Sequence, residues 1–108
     1  MTKQTKLPES DSLNELQQYI WQMNIDRGFS TDNASKKMVM LVEEIGELAK
    51  AIRKITGLKF TDTTKRTELK EELADVQIVL LGLSSLLDVN MFEALIEKET
   101  KNAKRDWK

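Results

Sequence analysis

The sequence predicts an all-α fold, a four-helix-bundle-like domain that is completed by oligomerisation into a dimer or tetramer. Three observations support this prediction. The chain of 108 residues contains one proline and four glycines, so few positions interrupt regular structure. Aromatic residues make up only 6% of it, which leaves aliphatic residues and methionine to form the core. Apolar residues recur three or four positions apart in four successive segments, which is the spacing of amphipathic helices.

The chain divides into a predicted flexible arm, residues 1–10, and a single domain, residues 11–108. The first helix of this domain is predicted over Leu13–Ile25. Ser12 and Glu15 have the spacing of a capping box at its start, in which the serine side chain accepts a backbone hydrogen bond from the glutamate.

The second helix is separated from the first by Gly28, which adopts positive φ without steric cost. It is predicted to begin near Asp32 or Asn33 and to end at Ile55, with Gly57 as its C-terminal cap. The segment GLKFTDTT then forms a loop. The apolar stripe of this helix, centred on Ile45, consists of Met38, Leu41, Val42, Ile45, Leu48, Ala49 and Ile52.

The third helix, predicted over Lys65–Leu87, is apolar on nearly all sides in its second half, VQIVLLGLSSLL. A helix of this kind is normally buried on several sides. Four short helices do not easily surround one of their own members, so we expect other copies of the chain to cover it. The fourth helix is predicted to follow Asn90 as N-cap, with Glu93 three residues on, and to end near Ala103.

The composition excludes several classes of function. With 17 basic and 18 acidic residues, the chain lacks the basic excess of a nucleic-acid-binding protein. It contains no histidine and no cysteine, so Ser-His and Cys-His nucleophiles and thiolate zinc sites are excluded. Its longest apolar run, about 12 residues, is too short to span a membrane. The start of the chain does not resemble a signal peptide, and we therefore expect a cytoplasmic protein.

Two acidic pairs stand out, Glu44-x-x-Glu47 in the second helix and Glu72-x-x-Asp75 in the third. On a helical wheel Glu72 lies inside the apolar stripe, about 40° from the direction of Val76. A carboxylate that points at a core is costly unless it is paired or coordinated. Glu44 is placed on a flank, about 100° from the centre of its stripe, and Glu47 lies on the same flank.

The four carboxylates converge if the second and third helices pack antiparallel. Like charges at such a distance require compensation, either by lysine and arginine or by a divalent cation. Oxygen ligands suit Mg²⁺, Mn²⁺ or Ca²⁺. The residues by themselves favour neither remedy, and the candidate ion-pair partners are Lys37, Lys50, Arg53 and Lys70.

The motif EEIGE followed by EELAD resembles the E-E-x-x-E … E-x-x-D signature of the MazG-type all-α nucleoside triphosphate pyrophosphohydrolases. The ending EKETKNAKRDW is similar to the Lys-x-x-x-Asn-x-x-Arg close of that superfamily. The resemblance extends from about Asn33 to Trp107. It implies hydrolysis of a nucleoside triphosphate between the α and β phosphates, dependent on Mg²⁺ with Mn²⁺ as a possible substitute.

The resemblance also implies roles for individual residues. The metal ligands correspond to Glu44, Glu47, Glu72 and Asp75. Glu43, Glu44 and Glu47 match the motif that carries the catalytic carboxylates, and Glu43 assists the ligands or orients water. The phosphates or the sugar are expected near Lys98, Asn102 and Arg105, and Trp21 is a candidate for contacting the base, although it is equally suited to a core.

Two alternatives remain open from the sequence. Within the superfamily, phosphoribosyl-ATP pyrophosphohydrolases share the fold and the leaving group but act on a different substrate. Outside enzymes, a helical scaffold with an acidic ladder has the same pattern of side chains. Glu72 distinguishes the scaffold from the enzyme, because a scaffold tolerates leucine at this position and an enzyme does not.

Overall fold

The fold, given by a computed structural model, is described over residues 7–29, 33–55 and 63–105, with Thr63 and Thr64 by backbone alone. These ranges contain four helices and no strand, which confirms the all-α prediction. Most of the predicted arm, the Gly57 cap and the loop up to residue 62 lie outside the described residues. The helices are α1 (Leu13–Asp26), α2 (Ala34–Ile55), α3 (Thr63–Leu86) and α4 (Met91–Ala103).

The helix starts follow from side-chain caps. Ser12 Oγ accepts a hydrogen bond from the backbone N–H three residues on at 3.3 Å. Asn90 Oδ1 does the same for α4 at 2.9 Å, and Asn33 Oδ1 for α2 at 3.0 Å. Each oxygen satisfies a backbone donor that has no partner within its helix. The predicted starts of α1 and α4 are confirmed, whereas α3 begins at Thr63, two residues before the predicted start.

Two helices end in the same kind of turn. After α1, Gly28 has φ of 73°, and the next N–H bonds to the carbonyl five residues back at 2.9 Å. After α3, Asp88 has φ of 58°, and the N–H of the residue that follows it bonds to the carbonyl five residues back, again at 2.9 Å. This geometry satisfies the last carbonyls of a helix and favours glycine at the residue with positive φ. The sequence predicted the first turn from its glycine and did not single out Asp88.

The helices α2 and α3 form an antiparallel hairpin. Lys54 Nζ, near the end of α2, lies 3.9 Å from Glu68 Oε2, near the start of α3. One face of α2 is covered by α3, and we call it the inner face. Its residues alternate at spacings of three and four, the repeat of two helices packed side by side. They are the buried Lys37, Leu41 and Ala51 and the half-buried Glu44 and Leu48.

The centre of the apolar stripe of α2 was predicted wrongly. Ile45 is 48% exposed, and Glu44 lies on the covered inner face between two leucines. The physical reason is that α2 carries two adjacent apolar rows, and a helical wheel averages them into one stripe. Only one row meets α3. The exposed row, which we call the outer face, consists of Met38, Val42 and Ile45.

The helix α1 packs across the second half of α3. Ile20, Met23 and Leu81 form the buried core between them. The two helices approach closely at Gly82, where an added Cβ would lie 3.0 Å from Asn24 Nδ2. Because α1 and α2 both pack on α3, four consecutive residues, Leu81–Ser84, are buried within a single chain. Part of the enclosure that we expected from other copies is therefore supplied by α1.

The helix α4 projects from the rest of the chain. Its axis is bent by 97° from that of α3, it packs mainly on α1, and none of its residues is buried. Phe92, Leu95 and Ile96, at helical spacing, are each about half exposed. The Cα radius of gyration is 16.6 Å, against about 13 Å for a compact domain of this length.

In the part of the chain that the structure describes, no single helix is long and apolar enough to cross a membrane. Among the described helices, only α3 and α4 taken together, as a bent pair, have the length and apolar composition of a membrane-spanning segment.

Candidate metal centre

Three carboxylates meet where α2 and α3 pack together. Glu44 comes from the inner face of α2, and Glu72 and Asp75 come from the facing side of α3. One oxygen of each lies within 4.8 Å of the others. Glu44 and Glu72 are half-buried in the seam, whereas Asp75 is exposed at its edge. The group therefore opens to solvent on one side.

The helical spacing explains why these residues meet. Glu44 lies one turn after Leu41 and one turn before Leu48, so it occupies a core position of the helix pair. Glu72 lies one turn before Val76 on α3, as the wheel predicted from the sequence. Antiparallel packing brings these two positions opposite each other, and Asp75 follows Glu72 by three residues on the same side.

In the part of the chain that the structure describes, no basic side chain pairs with the carboxylates of this group. Among the described residues, no lysine or arginine forms an ion pair with Glu44, Glu47, Glu72 or Asp75, and the nearby ion pair of Lys54 uses Glu68 instead. Burial raises the pKa of the Glu44 carboxyl above its ordinary value, and the charges of Asp75, Glu72, Glu47 and Glu43 raise it further. The ion pairs with lysine or arginine that the sequence left open are thus not formed at these four carboxylates among the described residues.

The other two glutamates of the motif are placed differently. Glu47 is exposed and lines a cavity of about 240 Å³ together with Glu72, Lys50 and Lys54. It adjoins the group of three without belonging to it. Glu43 is exposed, and its effect on the group is through its charge.

The donor set fits a hard divalent cation. It consists of carboxylate oxygens alone, which Mg²⁺ and Mn²⁺ prefer over the sulfur and nitrogen donors that zinc favours. A cation at this position would also remove the repulsion that raises the pKa of Glu44. Glu44, Glu72 and Asp75 would hold it, and Glu47 lines the adjoining cavity with Glu72.

The α4 residues are not brought to this group within one chain. Lys98 and Arg105 are exposed and Asn102 is half-buried. From Asp75 to its end, α3 runs on for about 16 Å at 1.5 Å per residue. Since α4 then turns away by 97°, the three side chains stand apart from the carboxylates of their own chain.

Trp21 is half-buried beside a cavity of about 640 Å³ at the junction of α1, α3 and α4. The wall of this cavity is rich in amide and hydroxyl groups, and it belongs to the C-terminal end of α3, away from the carboxylates. Its lining residues include Asn14, Gln18, Gln22, Ser85, Asp88 and Asn90.

Sequence reasoning did not predict the burial of Gln17 and Lys37, two of the four buried polar residues among those that the structure describes. Gln17 Nε2 donates to Ser85 Oγ at 3.1 Å and to Val89 O at 2.7 Å, and its Oε1 accepts from Met91 N at 3.0 Å. These bonds fix the turn between α3 and α4 against α1. Their positions in the sequence could have predicted this burial, because each residue stands where the helical period places a core side chain.

An all-α hairpin with a cluster of carboxylates in its seam defines a class of helical proteins suited to divalent metal ions. Comparison with protein families identifies the family: residues 32–107 match the MazG nucleotide pyrophosphohydrolase domain. Because the match covers more than half of the chain, the protein belongs to this family. It is therefore a nucleotide pyrophosphohydrolase, a hydrolase that acts on acid anhydrides, and the family generally uses divalent metals. A search of curated proteins finds no match.

Proposed function

We propose that this protein hydrolyses nucleoside triphosphates between the α and β phosphates, giving the nucleoside monophosphate and pyrophosphate. The reaction depends on Mg²⁺, with Mn²⁺ as a substitute, and serves to remove unwanted nucleotides from the cell. One observation carries this proposal: Glu44, Glu72 and Asp75 converge within 4.8 Å without basic partners among the described residues. A cluster of this kind, in a chain of this family, is suited to hold a cation and not to stabilise the fold.

A bound divalent cation supplies positive charge against the phosphate oxygens and the leaving pyrophosphate. Glu44, Glu72 and Asp75 would hold it in place, and Glu47 would be the fourth ligand. Packing of α2 on α3 fixes the first two side chains in the seam, so that little reorganisation is needed when the nucleotide binds.

The attacking water is oriented by the carboxylates of the motif. Glu47 faces the cavity beside Glu72, where it accepts a hydrogen bond from a water molecule and directs the oxygen toward phosphorus. Glu43 acts at longer range through its negative charge. No covalent nucleophile is required, which agrees with a chain that lacks cysteine and histidine.

The active form is a homodimer or homotetramer. On the outer face of α2 and along the stripe of Phe92, Leu95 and Ile96 on α4, large apolar side chains at helical spacing are each about half exposed. Apolar surface of this kind marks sites of contact between proteins. A second copy covers these surfaces and completes the bundle. Lys98, Asn102 and Arg105 then reach the phosphates or the sugar from the α4 of the second copy.

The base is held at the cavity that Trp21 lines. An indole ring offers a stacking surface to any base, and the surrounding amide groups can pair with the edges of a base. In one chain this cavity is far from the carboxylates, so it also serves the site of a second copy.

The experiment that tests the function measures pyrophosphate release from common and modified nucleoside triphosphates, with Mg²⁺ and with a chelator. Metal-dependent release, with one preferred base, is the expected result. Release from phosphoribosyl-ATP alone would move the substrate to the alternative activity of the superfamily. Absence of release from every nucleotide would contradict the proposal.

Replacing Glu72 with leucine separates the enzyme from a scaffold. The Glu72→Leu variant is expected to retain its fold and to lose both Mg²⁺ binding, measured by calorimetry, and turnover. Glu71→Leu is the matched control, because Glu71 is exposed and lies outside the group of carboxylates. Normal turnover by Glu72→Leu would show that the carboxylates are structural.

A further inference from the structure

A second charged side chain lies on the inner face of α2, and the function proposed above does not use it. Lys37 is only 6% exposed, and it stands two turns before Glu44 on the same row. Its ammonium has no ion pair and donates no hydrogen bond within the described residues. Its ammonium lies over the aromatic ring of Phe29, in a cation–π contact with 5.8 Å between Nζ and the ring centroid.

A buried ammonium without an anion is unfavourable, because it has lost its hydration and gained no opposite charge. The ring of Phe29 attracts a cation only weakly when it is itself exposed to water, and it is 51% exposed. Leucine or methionine at this position would pack against α3 without that cost. The sequence nevertheless retains a lysine at a core position of the helix pair.

The surroundings of Lys37 form a cavity of about 230 Å³ at the N-terminus of α2. The part of its lining that the structure describes contains two lysines and an asparagine and no acidic residue. The N-terminus of a helix of 22 residues adds partial positive charge on the same side. The lining residues are Gly28, Phe29, Asn33, Lys36, Lys37 and Met40.

The wall of this cavity is fixed by local hydrogen bonds. Gly28, with its positive φ, reverses the chain after α1, and the Phe29 N–H bonds to Asn24 O at 2.9 Å. On the other side, Asn33 Oδ1 caps α2 by accepting from the Lys36 N–H at 3.0 Å. These bonds fix the backbone on both sides of the space that Phe29, Lys36 and Lys37 line.

We propose that this cavity, with Lys37 at its base and Lys36 at its rim, binds an oxyanion of the phosphate type. The anion pairs with the buried ammonium, and the amide of Asn33 and the helix N-terminus contribute donors and positive potential. Two sources supply this chemistry: a free phosphate or pyrophosphate, or the distal phosphates of a nucleotide bound at the carboxylates. Lys37 and Glu44 are about 10 Å apart along α2.

The first test needs neither metal nor turnover, so its failure is distinct from failure of the proposed enzymatic function. The melting temperature of the whole chain is measured with a chelator in a phosphate-free buffer, while inorganic phosphate is titrated against chloride of equal ionic strength. Phosphate is expected to raise the melting temperature by about 4 °C in a saturable manner, and chloride is not. An equal effect of the two salts would overturn the proposal.

The Lys37→Met variant assigns the effect to the site. It is expected to melt higher than the wild type without phosphate, because the uncompensated charge is gone, and to lose the phosphate shift. Lys70→Met removes an exposed lysine from α3, away from the N-terminus of α2, and should keep the shift. A full phosphate shift in Lys37→Met would overturn the assignment. Calorimetric titration of the wild type with phosphate decides the matter if the variant does not fold.

A competition experiment distinguishes the two sources. A nucleotide analogue with a non-hydrolysable α,β bridge is bound in the presence of Mg²⁺, and phosphate is then titrated. If phosphate binding is abolished, the cavity receives the distal phosphates of the substrate, and Lys37→Met should weaken the triphosphate analogue at least about tenfold more than a monophosphate. If phosphate binding persists, the cavity is a separate site for a free anion.

Discussion

The burial of the two faces of α2 is the reverse of what their polarity would favour. The inner face, covered by α3, contains the charged Lys37 and Glu44, whereas the outer face, with Met38, Val42 and Ile45, is apolar and exposed. A fold selected for stability alone would reverse this arrangement. The two proposals above account for this difference: ligands would neutralise the charges of the inner face, and a second copy of the chain would cover the outer face.

The largest expected effect comes from comparing Glu44, on the inner face, with Glu43, the exposed glutamate next to it. Glu44→Gln keeps the shape of the side chain and removes the charge that holds the cation, so kcat/KM should fall by about 10³-fold, or about 4 kcal/mol of transition-state stabilisation. Glu43→Gln, one residue away and exposed, should cost less than about tenfold. Steady-state pyrophosphate release measures both. A larger loss in Glu43→Gln would reverse the proposed roles.

The next effect concerns the outer face. Ile45→Glu places a charge in the apolar surface that we assign to the second copy, and desolvating it costs several kcal/mol. Light scattering should show the mass of an oligomer for the wild type and 12.4 kDa for the variant. The variant should still bind Mg²⁺ but lose turnover, because α4 of the second copy is absent. Leu7→Glu is the control, and a monomeric wild type with full activity would remove the basis of this prediction.

Packing energies sharpen the comparison between neighbouring residues. Leu41 is 7% exposed and Val42 is 56% exposed. In the monomeric Ile45→Glu background, Leu41→Ala should lower the free energy of unfolding by about 3 kcal/mol and Val42→Ala by less than about 0.5 kcal/mol. Urea denaturation measures both values. Equal losses would mean that α3 does not distinguish the two faces.

The smallest effect is a dependence of stability on pH in the absence of metal. The pKa of Glu44 is higher in the folded chain than in the unfolded chain, so the folded state retains this proton more tightly. Stability is therefore lost as the pH rises from the unfolded pKa, about 4.3, through the folded pKa. With a chelator, Glu44→Gln should melt about 3 °C above the wild type at pH 7.

That difference should vanish at about pH 3, well below the unfolded pKa of about 4.3, where Glu44 is protonated in both states of the wild type. Saturating Mg²⁺ at pH 7 should reverse its sign, since only the wild type gains from binding the cation. A constant difference at all pH values would show that neither burial nor the neighbouring charges raise the pKa of Glu44 in the folded chain.

Much of the fold and part of the site followed from local signals. Ser12 and Asn90 marked two helix starts because a short side chain with an acceptor oxygen satisfies free backbone donors wherever it precedes an amphipathic segment. Glu72 was placed in the seam correctly because its direction on the wheel lies about 40° from that of Val76, and both side chains are half-buried. Glu44 was placed on a flank wrongly because α2 has two apolar rows, and no local signal tells which of them meets α3.

The sequence by itself determined the helices, their caps, the lack of thiol and imidazole chemistry, and the acidic motif of the MazG family, since each depends on neighbours within a few residues along the chain. Only the tertiary structure decided which face of α2 is covered, that Lys37 is buried beside a basic cavity, and that α4 stands away from the carboxylates of its own chain. These properties depend on how helices distant in sequence pack, because burial and charge pairing are set by all the elements that meet at a point in space.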